Sequence, residues 1–185
     1  MRRNGFKFTL VLPVVLLALL SGCASSLMIR SETVLVPGPD YAVVNFLRPS
    51  NMSGAIEFGI WDKENFIGIL TPKHYIQYKA SPGGHMFMAR AENWSVIQAT
   101  VDAGKTYYIL VAQRIGVLKA RVDMEVVRPD DARLSKWMDS LKPIMTDPAR
   151  RDAYVNERVV DVHKAVQNVQ AGKAAFDVMK PTDGK

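Results

Sequence analysis

Between Tyr41 and Val127 the apolar positions come in short runs, each closed by residues that favour turns. The runs predict strands near Tyr41–Leu47, Ala55–Asp62, Phe66–Leu70, His74–Lys79, His85–Glu92, Ser95–Val101, Thr106–Arg114 and Lys119–Val127. Their starts fall 8 to 14 residues apart, the spacing of a sandwich or barrel built from hairpins. The last run alternates most cleanly: Ala120, Val122, Met124 and Val126 share one face, and Lys119, Arg121, Asp123 and Glu125 share the other. A strand of that kind is half buried in an antiparallel sheet. Asp62-Lys63-Glu64-Asn65, Ser81-Pro82-Gly83-Gly84 and Asp102-Ala103-Gly104-Lys105 read as hairpin connections, because Pro fixes one φ and Gly tolerates a positive one. No phosphate-cradling glycine pattern is present, and no helix follows these turns.

Past Arg128 the period changes from two to that of a helix. Pro129-Asp130-Asp131 opens a helix carrying Leu134, Trp137, Met138 and Leu141 on one side, and Pro143 closes it. Asp147-Pro148 repeats the start signal, as N-cap and first-turn proline, and a long helix should follow. In it Val155, Val159, Val162, Val166 and Val169 recur at intervals of 4, 3, 4 and 3, which makes one apolar seam. Such a seam packs on the body of the domain or docks a partner, and packing at home is the expectation. Lys180 to Lys185 reads as a frayed polar end.

The start of the chain has a third pattern. Arg2, Arg3 and Lys7 precede an apolar stretch of 13 residues, Phe8 to Leu20, and then the small pair Ser21-Gly22. A basic head, a short apolar middle and small residues at a cleavage point make an export signal; Pro13 and the shortness of the run argue against a membrane span. Leu20-Ser21-Gly22-Cys23 resembles the lipobox of bacterial lipoproteins. The resemblance implies that the chain is cut before Cys23, that this residue is acylated, and that with Ala24 next the protein sorts to the outer membrane. Several acyl chains on one residue give a stable anchor, since each buried CH₂ adds about 0.8 kcal/mol. The resemblance thus makes Cys23 a lipidation site, and as the only cysteine of the sequence it has no partner for a disulfide. The expected divisions are a signal peptide over 1–22, a lipidated tether over 23–40 with Thr33 to Val36 as a short edge strand, a β domain over 41–128 and a helical extension over 129–185.

Composition changes once the signal is set aside. The full chain carries +6, but residues 1–22 hold three positive charges and no negative one, leaving +3 on 163 residues. That balance gives little support for nucleic acid as a partner. One ordinary domain with an appendage fits the length.

A second resemblance rests on Arg48-Pro49, Pro82-Gly83-Gly84-His85 and Gly104-Lys105-Thr106-Tyr107-Tyr108. Across about residues 41 to 127 the chain is similar to a family of small bacterial lipoprotein domains of unassigned function. That similarity implies an antiparallel immunoglobulin-like or transthyretin-like β-sandwich, and it carries over no catalytic residues. Arg48, His85, Tyr107 and Tyr108 are the candidate binding residues. Arg48 either bridges loop carbonyls or binds an anionic headgroup, with bridging expected. Of Tyr107 and Tyr108, neighbours on a strand, one ring must face the core and the other outward, where it pairs across strands or stacks on a ligand. The three histidines, His74, His85 and His163, have no metal-ligand spacing, and no serine sits in a nucleophile elbow. No metal, cofactor or catalytic set is expected.

These observations point to a non-catalytic binding or structural module at the periplasmic membrane surface, with a possible envelope protein partner. An accessory subunit docked through its C-terminal helix is the alternative, and a hydrolase comes third. A binding module should gather polar and aromatic groups at one loop end. An adaptor should leave the valine seam exposed, and an enzyme should bring His74 or His85 beside a carboxylate.

Overall fold

The computed structural model describes residues 27–51, 56–115 and 120–185. The signal segment, Cys23, Ala24 to Ser26, and the expected strand starts at Ala55 and Lys119 lie outside the described residues. Among the described residues there are eleven strands: β1 Met28–Arg30, β2 Ala42–Arg48, β3 Phe58–Asp62, β4 Asn65–Leu70, β5 His74–Ala80, β6 Gly83–Arg90, β7 Trp94–Val101, β8 Thr106–Ile115, β9 Ala120–Val127, β10 Lys142–Thr146 and β11 Asp177–Met179. Three α-helices accompany them in the described residues, α1 Leu134–Ser140, α2 Pro148–Asn156 and α3 Val159–Gln170, with a short 3-10 turn at Pro181–Asp183.

The strands form two sheets, one of six in the order β1-β10-β5-β2-β8-β9 and one of five in the order β11-β7-β6-β3-β4. The chain visits them alternately. β2, β5 and the β8–β9 pair lie in the larger sheet, whereas the β3–β4 and β6–β7 hairpins lie in the smaller. Val44, Phe46, Ile76, Ile109, Val122 and Met124 of one sheet and Phe58, Ile60, Phe87, Met88 and Ile97 of the other belong to a single apolar core. Phe46 and Phe87 meet edge to face across it, 5.4 Å between ring centroids.

Several expectations are corrected by the topology. The sheets are mixed, since β2 runs parallel to β8, β10 parallel to β5 and β11 parallel to β7. A strand that returns to a sheet after a visit to the other one can arrive in either direction, and only hairpin neighbours must be antiparallel. The region past residue 128 is helical only in part, because it supplies β10 to one sheet and β11 to the other. The single long helix expected after Asp147 is two, α2 and α3, with Glu157 and Arg158 between them. Asp147 does cap α2, accepting from the Ala149 N–H at 3.0 Å. Nor is the C-terminal segment frayed. Lys185 and Thr106 exchange backbone hydrogen bonds of 2.7 and 3.2 Å, and Gly184 lies so close to Tyr107 that a Cβ would fall 2.6 Å from its ring.

The segment expected to be a free tether as far as residue 40 is laid on the domain instead. β1 pairs with β10, Met28 against Thr146 through Arg30 against Ile144. Thr33 to Val36 forms no strand ladder, but Leu35 donates its N–H to Gln77 Oε1 at 2.7 Å, and Gln77 Nε2 donates to Asn45 Oδ1 at 3.0 Å. The Tyr41 hydroxyl then donates to the Val36 carbonyl at 2.9 Å. Residues 31–36 are thus a strap held against the outer side of the larger sheet by a short polar relay.

Candidate functional site

The strongest cluster of titratable groups forms where two hairpins meet. The β3–β4 connection is two residues long, with Asp62 paired to Asn65 and Lys63 at φ 51°. A positive φ is what tight hairpin turns ask of a central residue. The β5–β6 connection holds Pro82 and then Gly83 at φ 116°, a conformation open to glycine. These turns bring Asp62 and His85 together, with Nδ1 of the histidine 2.6 Å from Oδ2 of the aspartate. The side chains keep only 8% and 10% of their surface exposed.

Asp62 accepts from three donors: His85, the Tyr78 hydroxyl at 3.0 Å and the Met86 N–H at 3.2 Å. Tyr78 comes from β5, so the carboxylate ties the larger sheet to the smaller one. His85 Nε2 faces the Ser81 carbonyl at 2.7 Å. Both ring nitrogens therefore meet acceptors, one carboxylate and one carbonyl, an arrangement that favours the doubly protonated imidazolium. It stacks on Phe87 at 5.3 Å.

The electrostatics follow from this geometry. The hydrogen bond to Asp62 raises the His85 pKa, burial opposes it, and the Ser81 carbonyl adds to the rise. Burial alone would raise the Asp62 pKa, but the hydrogen bond and charge of His85, with Tyr78 and Met86, outweigh it and hold the carboxyl below its ordinary value. Burial and the neighbouring Asp62 push the Tyr78 hydroxyl up to about 12. The cluster is a charged clasp between sheets. Its histidine stands beside a carboxylate, as an enzyme requires, yet Nε2, the nitrogen a general base would use, is committed to the Ser81 carbonyl.

The other candidate residues lie elsewhere, and the fold does not gather them. Arg48, 2% exposed, donates through Nη1 to the carbonyls of Ile56 and Leu70 at 2.6 and 2.9 Å and lies 4.1 Å from the Phe58 ring centroid. Burial lowers its pKa to about 10, against a nearby Glu57 that raises it. Tyr107 is fully buried, and its hydroxyl accepts from the Asp102 N–H at 2.9 Å and reaches the Pro181 carbonyl at 3.4 Å. Tyr108 points to the other side of the sheet but is not open to a ligand. It packs with Leu47, Tyr75, Val127, Leu134 and Leu141 beneath α1.

The valine seam divides. Val162, Val166 and Val169 are buried in the main core and Val155 packs at its edge, whereas Val159 is exposed. His74 Nδ1 lies 2.8 Å from the Pro72 carbonyl and 3.0 Å from the Thr71 hydroxyl, and His163 lies 3.9 Å from Glu64 at the surface. No group of three metal-ligating side chains occurs among the described residues. Sequence reasoning missed Asp62 and Tyr78 as partners of His85. The signal available was the polar Asp62-Lys63-Glu64-Asn65 turn, but nothing local says which hairpin it will face.

The third feature is a groove of about 540 Å³ on the flank of the larger sheet, lined by Ile29, Leu35, Gln77, Pro143, Ile144 and Met145 among others. It runs between the strap and the β1–β10 pair, next to the point where the described chain begins. No protein-family model matches this sequence, and no curated protein matches it either.

Proposed function

We propose that the chain is a lipid-anchored lipoprotein of the bacterial envelope, acting as a non-catalytic binding or structural module at the periplasmic face of the outer membrane. One observation carries the reading: only five positions separate Cys23 from Met28, where the chain enters the larger sheet. At no more than about 3.6 Å per residue, an acylated Cys23 would hold the edge of the domain within about 18 Å of the lipid. A domain so tethered acts at the membrane surface and does not reach across the periplasm.

The two packed sheets, visited alternately by the chain, support an immunoglobulin-like or transthyretin-like sandwich as the finer description. The parallel β2–β8 pair and the added β10 and β11 are departures from it. A non-catalytic role is favoured because both nitrogens of His85 are already bonded. The adaptor alternative has less support, since Val162, Val166 and Val169 are already covered by the domain itself.

The test is mass spectrometry of protein extracted from membranes. The mature N-terminus is expected at an acylated Cys23, and Cys23→Ser should leave the chain unprocessed or free of the membrane. An intact Met1 or an unmodified thiol at Cys23 would sink the reading.

A further inference from the structure

Four large apolar side chains are exposed on the strap and on the β1–β10 edge of the larger sheet. Ile29 and Met145 are register partners in the β1–β10 pair, and both turn outward, 42% and 43% exposed. Val34 and Val36 on the strap are 60% and 70% exposed. They flank Leu35, which is half-buried and anchored through its N–H to Gln77. Water is a poor neighbour for a cluster of this kind on a soluble domain.

We propose that this edge, comprising Ile29, Val34, Val36 and Met145, is a membrane-contact face that lies in the interfacial layer of the bilayer to which Cys23 is attached. The inference rests on the anchor proposed above. The occupant is argued from the chain outside the described residues, because β1 starts five positions after Cys23 and the groove beside it lies within that short reach. The contact is apolar in character: Arg30 and Glu32, the charged residues lining the groove, are opposite in sign. Apolar faces of this kind sink to the boundary between headgroups and acyl chains. Ionic strength should therefore have little effect on the contact.

The chain's single cysteine makes the test clean, because an acylated Cys23 leaves an introduced cysteine as the sole free thiol. Full-length protein carrying Val34→Cys, Val36→Cys, Met145→Cys or Val178→Cys is purified from membranes, labelled with an environment-sensitive fluorophore and placed in phosphatidylethanolamine and phosphatidylglycerol vesicles. Val178 is the control: it is 56% exposed on β11, at the opposite edge, since β11 packs over β9 while β4 packs over β10. Quenchers within the lipid should quench labels at 34, 36 and 145 at least about threefold more than the label at 178, as expected for a face sunk into the interface. Adding Val34→Glu and Val36→Glu should release the label at 145 without changing the melting temperature, since both positions are exposed. Equal quenching at all four positions, with Cys23 acylated by mass spectrometry, overturns the membrane face and leaves the anchor standing; the patch would then belong to a protein partner. A free thiol at Cys23 overturns the anchor itself, and this inference with it.

Discussion

At the scale of single residues, the Asp62–His85 clasp shows how a polar group is made safe inside two packed sheets. Each charged form is stabilised by its partner, and the remaining contacts of the cluster are filled by the Tyr78 hydroxyl and the Met86 N–H, which donate to Asp62, and by the Ser81 carbonyl, which accepts from His85. The pH dependence follows from the directions of the shifts. His85 has a raised folded pKa, so its contribution is complete below the ordinary histidine value of about 6.5 and is lost as pH rises through the folded value. Asp62 has a depressed one, so its contribution is complete above about 3.9 and is lost as pH falls through its folded value. The pair is strongest between those limits. His85→Gln should cost about 2 kcal/mol near pH 6, the cost of a charged hydrogen bond lost from a nearly buried site. Thermal melts of both proteins from pH 5 to pH 9 should show the gap narrowing as His85 loses its proton. A gap independent of pH would mean that the ring is held neutral.

Among the elements, α3 illustrates a seam that is used at home. Its side chains at Val162, Ala165, Val166 and Val169 all enter the main core, while Val160, 76% exposed, faces away. Helix α2 docks separately, through Tyr154, which packs on Phe66 at 4.7 Å and stacks on Trp61 at 6.5 Å. Arg158 lies over the same tyrosine at 3.7 Å and closes the link between the helices. Val166→Asp would bury a charge with no partner and should cost about 3 kcal/mol or more. Val160→Asp on the same helix should stay within about 0.5 kcal/mol, as exposed substitutions do. Urea denaturation of the two variants checks the orientation of α3. Equal effects would show that the helix does not bury the face described.

Taken as a whole, the molecule is closed by segments that meet from distant parts of the chain. The larger sheet takes its edge from β1 and β10, and the smaller sheet takes β11, so residues before 41 and after 128 are structural members of both layers. Val162, Val166, Val169 and Met179 sit in the same core as Phe46 and Phe87. Calorimetry of the chain should therefore give one cooperative transition. Deleting residues 147–185 should leave an apolar wall uncovered and a protein that no longer melts cooperatively. Two transitions in the intact chain, or a truncated form that melts as before, would make the C-terminal region an independent appendage.

What the sequence alone determined is local. Runs of apolar residues and turn residues marked β2 to β9 to within a few positions, and Asp147-Pro148 marked the start of α2, because strand period and cap chemistry are written in adjacent residues. Val122 and Met124 could be assigned to the core from alternation alone. Tertiary structure decided everything that depends on which segments meet. β10 and β11 are five and three residues long, too short to show a period, and they become strands because β5 and β7 offer them unpaired backbone groups. One ring of the Tyr107–Tyr108 pair was expected to face outward; that ring is Tyr108, and it is covered because α1 folds over that face of the sheet. The frayed end became a docked one because Tyr107 and Thr106 receive it. His85 could be singled out from its turn, but its partner Asp62 lies 23 positions away, and no pattern of neighbours encodes a contact made by two hairpins in space.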